Sequence, residues 1–175
     1  MKETEGIVNR VASSPIVTID LEDYYHHGER VVFDIAQNLY QGMILREKDF
    51  REFVKTHDWE SYRGKNVSLT CTVDAIVPVW AYMLLISKLE GIANLTVKGS
   101  LDVLEYALFQ KALSKIDLDE LKGRPVVIKG CGNLPIPESA YVELTMLLKP
   151  HVKSLMYGEP CSTVPIYKQP RVVKS

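Results

Sequence analysis

Two stretches of this chain match each other without a gap at a constant offset of 59 residues, Asp58 to Gly99 against Asp117 to Gly158. Nine of the 42 paired positions are identical: Asp58/Asp117, Gly64/Gly123, Val67/Val126, Pro78/Pro137, Ala81/Ala140, Tyr82/Tyr141, Leu85/Leu144, Leu89/Leu148 and Gly99/Gly158. The pairing is gapless, and it aligns both Gly-basic turns and both Pro-x-x-Ala-Tyr segments. That is the signature of an internal duplication. A repeat constrains a fold more than any single motif does, because each copy has to form the same supersecondary unit.

Each copy reads the same way. Gly64 and Gly123 end a short turn or helical segment, as a glycine past a helix end does. A β-rich run follows, Asn66-Val-Ser-Leu-Thr70 or Pro125-Val-Val-Ile-Lys129. After a loop, Pro78 and Pro137 open helices, where a missing N–H has no cost. Ala81, Leu84, Leu85 and Leu89, and likewise Ala140, Leu144, Leu147 and Leu148, recur at 3–4 spacing and predict one apolar face. Short strands at 95–97 and 154–157 close the units, and an amphipathic helix over 101–113 joins them. Strands separated by helices of a dozen residues belong to a parallel sheet with right-handed crossovers. The fold class expected is α/β. It is a mostly parallel sheet built from two tandem β-α-β units (58–99 and 117–158), with helices packed on it and an N-terminal α+β extension (1–57). That extension holds a strand at 16–19, an unassigned stretch at 31–45, and a helix over about 47–57. In that helix His57 shares a face with Phe50, Phe53 and Val54, as a partly buried or capping residue.

The composition fits one soluble domain: 175 residues, 46% hydrophobic, 25% charged. Twenty-one basic residues against 22 acidic leave a net charge of −1, without the basic footprint of a nucleic-acid binder. The longest apolar stretch, about 75–86, is interrupted by Pro78 and falls short of the roughly 20 residues a membrane span needs. No apolar run of the signal-peptide kind stands near Met1, and 166–175 reads as a flexible tail. Three cysteines, an odd number, argue for a reducing, cytoplasmic setting over a disulfide framework.

Cys71, Cys131 and Cys161 each follow a strand of the repeat. Strand ends of a parallel sheet share one edge, and there ligands bind beside helix N-termini. Cys71, beside Thr70 and Val73, also suits a small buried hydrophobe. Cys131 in Gly-Cys-Gly-Asn and Cys161 in Gly-Glu-Pro-Cys-Ser-Thr stand in turns rather than apolar runs. No C-x-x-C is present, so a zinc ribbon or thioredoxin-type pair is not supported. A site assembled from separate loops suits zinc or an iron–sulfur cluster, both of which favour thiolates.

The run Asp20-Leu-Glu-Asp-Tyr-Tyr-His-His27 gathers three carboxylates and two imidazoles after the first strand. It resembles the start of some polysaccharide deacetylases, but the His-x-x-x-His pair of that family is absent and the chain is short for its barrel. A solvated acidic turn is the plainer reading.

Several longer segments carry a wider resemblance: 28–35, 45–51, His57-Asp-Trp59, 80–85, 126–131, Ser-Ala-Tyr-Val-Glu-Leu-Thr (139–145) and Gly-Glu-Pro-Cys-Ser-Thr-Val-Pro (158–165). Together they resemble the uncharacterised bacterial domain-of-unknown-function family twenty-four-eighty over nearly the whole chain. The resemblance implies a small cytosolic protein without an assigned activity, and iron–sulfur assembly proteins as partners.

Three functional readings follow. In the first, Cys131 and Cys161, with Cys71, form a thiolate site for zinc or an iron–sulfur cluster, or a thiol relay. Asn133, Ser162, Thr163, Asp74 and Glu159 are its polar neighbours. In the second, an enzyme binds a small anionic ligand in the same crevice, at the N-termini of the Pro78 and Pro137 helices, with Asp20 or Asp23 as acid/base. In the third, the cysteines are inert in a structural or partner-binding domain. A homodimer is compatible with each, through an edge strand or the face of Trp80.

Overall fold

A computed structural model describes residues 16–130, 132–159 and 162–170. In chain order the elements are β1 (Val17–Ile19), β2 (Arg30–Asp34), α1 (Glu47–Thr56), β3 (Asn66–Thr70), α2 (Val79–Leu89) and β4 (Leu95–Lys98). There follow α3 (Leu101–Leu113), the single-turn α4 (Leu118–Leu121), β5 (Pro125–Ile128), α5 (Glu138–Leu148), β6 (Ser154–Glu159) and β7 (Ser162–Lys168). Short 3₁₀ turns occupy Leu21–Tyr24, Ile35–Asn38 and Trp59–Tyr62. The strands and helices of the repeat therefore stand where the hydrophobic spacing predicts them, to within about two residues.

The expectation of a single sheet is corrected. The strands form two sheets, one ordered β1-β5-β6-β7 and one ordered β2-β3-β4. They belong to two compact units: His26–Lys111, and the residues up to Tyr25 together with those from Ala112 onward. The second sheet is nested in sequence inside the first. The physical reason lies in the N-terminal stretch. Each β-α-β pair recruits its own third strand from there, β1 alongside β5 and β2 alongside β3, both parallel. Each trio thereby pairs its facing backbone donors and acceptors within its own unit. Ser162–Lys168, where no strand was expected, pairs antiparallel with β6; it carries Pro165 and an irregular register opposite Leu155/Met156.

The two units match in detail. Asn66↔Leu95 in one register corresponds to Pro125↔Ser154 in the other, again 59 residues on. Gly64 N–H donates to Ile92 O at 2.9 Å, and Gly123 N–H to His151 O at 2.8 Å. Asn94 N–H donates to Lys65 O at 2.8 Å, and Lys153 N–H to Arg124 O at 2.9 Å. Gly64 and Gly123 hold φ of 72° and 69°, the left-handed region that favours glycine. The correspondence extends to the N-terminal strands at a different offset of 14, since Val31 opposes Val67 as Val17 opposes Val126.

In the His26–Lys111 unit, Val67 and Leu69 of β3 pack in one core with Ala81, Leu85 and Leu89 of α2 and with Phe50 and Val54 of α1. Phe33 stacks on Trp59 at 6.1 Å, and the indole N–H donates to Val54 O at 2.8 Å. His57 caps α1: its N–H reaches Phe53 O, and its half-buried ring stands 3.2 Å from the Tyr62 hydroxyl, as the helix pattern predicts. In the other unit the corresponding Val126, Ile128, Ala140, Leu144 and Leu148 are buried. Among the described residues no helix is long and apolar enough to cross a membrane.

Candidate functional site

Both units clasp the carboxyl ends of their parallel strands in the same way. The chain leaves β1 at Asp20, which caps the following 3₁₀ turn by accepting the Glu22 N–H at 3.0 Å. Asp34 at the end of β2 does the same for Ala36 N–H at 3.0 Å. Each carboxylate then reaches across to the segment that leaves the neighbouring strand. Lys129 donates to Asp20 Oδ2 at 2.6 Å. Thr72 donates its N–H to Asp34 Oδ1 at 3.1 Å and its hydroxyl to Oδ2 at 2.5 Å. A short Asx-type cap and a cross-strand clasp thus share one side chain.

These bonds favour the charged forms of the groups they join. The Lys129 hydrogen bond holds the Asp20 carboxyl below its ordinary 3.8, against the opposing effect of desolvation, and the Lys129 ammonium is raised above 10.5 by the same bond. The Thr72 hydroxyl is the chief cause that lowers Asp34. Because both carboxyls are depressed in the folded protein, their contribution to stability is present above the unfolded value. It is lost as pH falls through the folded values, while the Lys129 contribution is present below 10.5 and lost above its folded value. Carboxyl-carbon NMR is expected to give midpoints below 3.8 for Asp20 and Asp34, and Thr72→Val is expected to move only Asp34 upward.

A further carboxylate fixes the loop after β5. Glu22 Oε1 accepts the backbone N–H of Leu134 at 2.6 Å and that of Asn133. Gly132 lies so close that a Cβ there would stand 2.3 Å from Glu22 Oε1. On the other side, the Tyr157 hydroxyl donates to Gly130 O at 3.0 Å, and its ring leaves no room for a side chain at Gly130. The loop is held from both flanks, with charge-assisted bonds on one of them.

The expected site residues distribute as follows. Cys131 and Cys161 lie outside the described residues. Pro160 lies outside them too, whereas Gly130 and Gly132 follow β5, and Glu159 pairs with Ser162, and Gly158 with Thr163, at the β6–β7 end of the same sheet. Asn133 contributes its backbone N–H to the loop clasp and exposes its side chain. Thr163 donates to Met156 Sδ at 3.7 Å. Asp23 is exposed and lines a cavity of about 190 Å³ with Tyr24, Asp117 and Glu120. Cys71 and Asp74 belong to the other sheet, where with Tyr82 and Lys98 they line a cavity of about 310 Å³. The Cys71 thiol donates to Val73 O at 3.4 Å. The Tyr82 phenol is raised by burial first, then by Cys71 and Asp34. Among the described residues no three His, Cys, Asp or Glu side chains gather into a metal site.

Sequence reasoning missed Glu22, Lys129, Asp34 and Thr72 as clasp residues. The available signal was that Val-Thr-Ile-Asp20 and Val-Val-Phe-Asp34 both end an apolar strand on aspartate.

Two α/β units, each a parallel strand trio crossed by one proline-led helix and clasped by an aspartate, define the class of this protein. The chain belongs to the family described as "Protein of unknown function (DUF2480)", which matches residues 5–169. No curated protein and no solved structure matches it.

Proposed function

We propose that this is a cytoplasmic binding or assembly-type protein whose working groups are the thiols of Cys131 and Cys161, which take up a soft metal ion or cluster (zinc or iron–sulfur) or relay a thiol reaction. The supporting observation is the parallel register that runs to Ile128↔Tyr157. It aligns the chain just before Cys131 with the chain just before the β6–β7 turn, at one sheet edge. The bonds that hold Gly130 on one side of Cys131 and Asn133 and Leu134 on the other add to this, because a ligating or reactive thiol gains from preorganised neighbours.

The donor set favours passing a metal over storing it. Asp20 is engaged by Lys129, and Glu22 by the loop amides. Two thiolates leave tetrahedral positions open, whereas structural zinc sites are closed by four protein ligands. Such an open pair suits exchange with iron–sulfur assembly proteins. Cys71 marks the corresponding edge of the other unit. The matched hydrogen bonds and registers support an internal duplication as the origin of the two units.

The enzymatic alternative, with Asp20 or Asp23 as acid/base on an anionic ligand, is less well supported at Asp20. A carboxyl held below its ordinary value by a lysine is a poor proton shuttle near neutrality.

The test is purification without oxygen, followed by metal analysis, the visible spectrum and a zinc titration. Bound metal or zinc uptake is expected in the wild type and in Cys71→Ser, and a loss of at least tenfold in affinity in Cys131→Ser and Cys161→Ser. A metal-free, colourless protein that takes up no zinc, and whose three thiols react independently, overturns the reading.

A further inference from the structure

The first residues of the His26–Lys111 unit hold a polar network that neither the thiol site nor the sheet clasp uses. Asn66 opens β3 and is fully buried. Its Oδ1 accepts from Asn94 Nδ2 at 2.6 Å. That bond fixes the amide orientation and leaves Asn66 Nδ2 as a donor to Gly28 O at 3.2 Å and toward His26 Nδ1 at 3.1 Å. The Gly28 N–H also donates to His26 Nδ1, at 3.1 Å. Two donors converge on one imidazole nitrogen, so that nitrogen is the unprotonated acceptor.

The turn is drawn tight around this contact. A Cβ on Gly28 would stand 2.5 Å from His26 Cε1. Arg30 donates to the carbonyls of His26 and Gly28 while it is itself held by Glu105 at 2.7 and 3.0 Å. The next bond in line is the first rung of the β2–β3 pairing, Asn66 N–H to Glu29 O at 2.8 Å.

We infer that the His26–Glu29 turn is a proton-operated latch on the segment through which the chain enters this unit: protonation of His26 at Nδ1 sets an N–H against two donors and loosens the turn at Gly28, while the bonds from Asn66 to Gly28 O and Glu29 O remain. An imidazolium has no acceptor, so the Gly28 N–H and one Asn66 donor lose their partner together. The surroundings resist that proton. Burial is the largest influence, followed by the charges of Arg30 on β2 and Lys111 on α3 and by neighbouring His27, while Glu105 on α3 acts the other way. The imidazole is thereby lowered from 6.5. A group depressed in the folded state stabilises above its unfolded value and loses that contribution as pH falls through its folded value, so the latch is closed at neutral pH and opens on acidification.

Ring ¹⁵N NMR and amide exchange on the full-length protein test this directly. At pH 8 the His26 ring is expected in the form that carries its proton on Nε2, with a titration midpoint below 6.5. Gly28 amide protection, corrected for intrinsic exchange, is expected to fall at least tenfold across that same midpoint, while amides in the middle of β2 keep theirs. In His26→Gln the step at that midpoint is expected to vanish. An Nδ1–H tautomer at pH 8, Gly28 protection indifferent to the ring titration, or an unchanged step in His26→Gln overturns the latch. The tautomer and exchange measurements on the wild type decide the matter even if the variant does not fold.

Discussion

Leu144→Ala is expected to lower the unfolding free energy by about 2–5 kcal/mol, and Leu85→Ala by a similar amount. The two leucines occupy the same place in the two units, 59 residues apart, on the inward face of α5 and α2, and each is 0% exposed. Truncation removes the transfer free energy of the lost atoms and leaves a void that neighbouring strands close only in part. Against a total of roughly 5–15 kcal/mol for a protein of ordinary stability, either change is severe. Met146→Ala on the same helix as Leu144 is the control. At 68% exposure it is expected to change stability by no more than about 0.5 kcal/mol. Urea unfolding followed by circular dichroism measures all three. A loss under about 1 kcal/mol at Leu85 or Leu144 contradicts the assignment of these faces to the core.

Glu22→Ala is expected to loosen the loop after β5 and leave the sheet intact. Hydrogen bonds to a charged acceptor contribute about 1.5–3 kcal/mol, and this carboxylate takes two backbone donors. With tenfold in an equilibrium constant for each 1.36 kcal/mol, amide exchange at Asn133 and Leu134 is expected to rise about ten- to a hundredfold. Glu22→Gln keeps an acceptor without its charge and is expected to fall between. Gly132→Ala is expected to mimic Glu22→Ala, because the new methyl group occupies the space of the carboxylate. Unchanged exchange at both amides in Glu22→Ala contradicts the clasp.

The repeat made most of the fold legible in the sequence. Proline at the entrance of each helix, glycine at each turn and leucines at helical spacing are local signals, and the elements they predict are present. The division into two sheets was not legible. Strand pairing is decided by which segments meet in space, and β1 and β2 correspond at an offset of 14 while the rest of the repeat corresponds at 59. Matching segments as short as Val-Thr-Ile-Asp20 and Val-Val-Phe-Asp34 are too brief for that second offset to stand out. The clasp residues were hidden for a related reason. Lys129 matches Thr70 at the offset of 59 and Thr72 stands two residues past that position with different chemistry, so the alignment masks their common role. The acidic turn read as solvated surface, yet Asp20 and Glu22 spend their charge on a lysine and on two amides.

The last strand bears on how copies of this protein can meet. An open sheet edge invites another chain to add a strand, which is the usual route to unwanted fibrous association. On the β7 side that route is interrupted. Pro165 has no N–H to offer, and the irregular register beside it breaks the even spacing an incoming strand needs. Strand addition along that margin is therefore disfavoured.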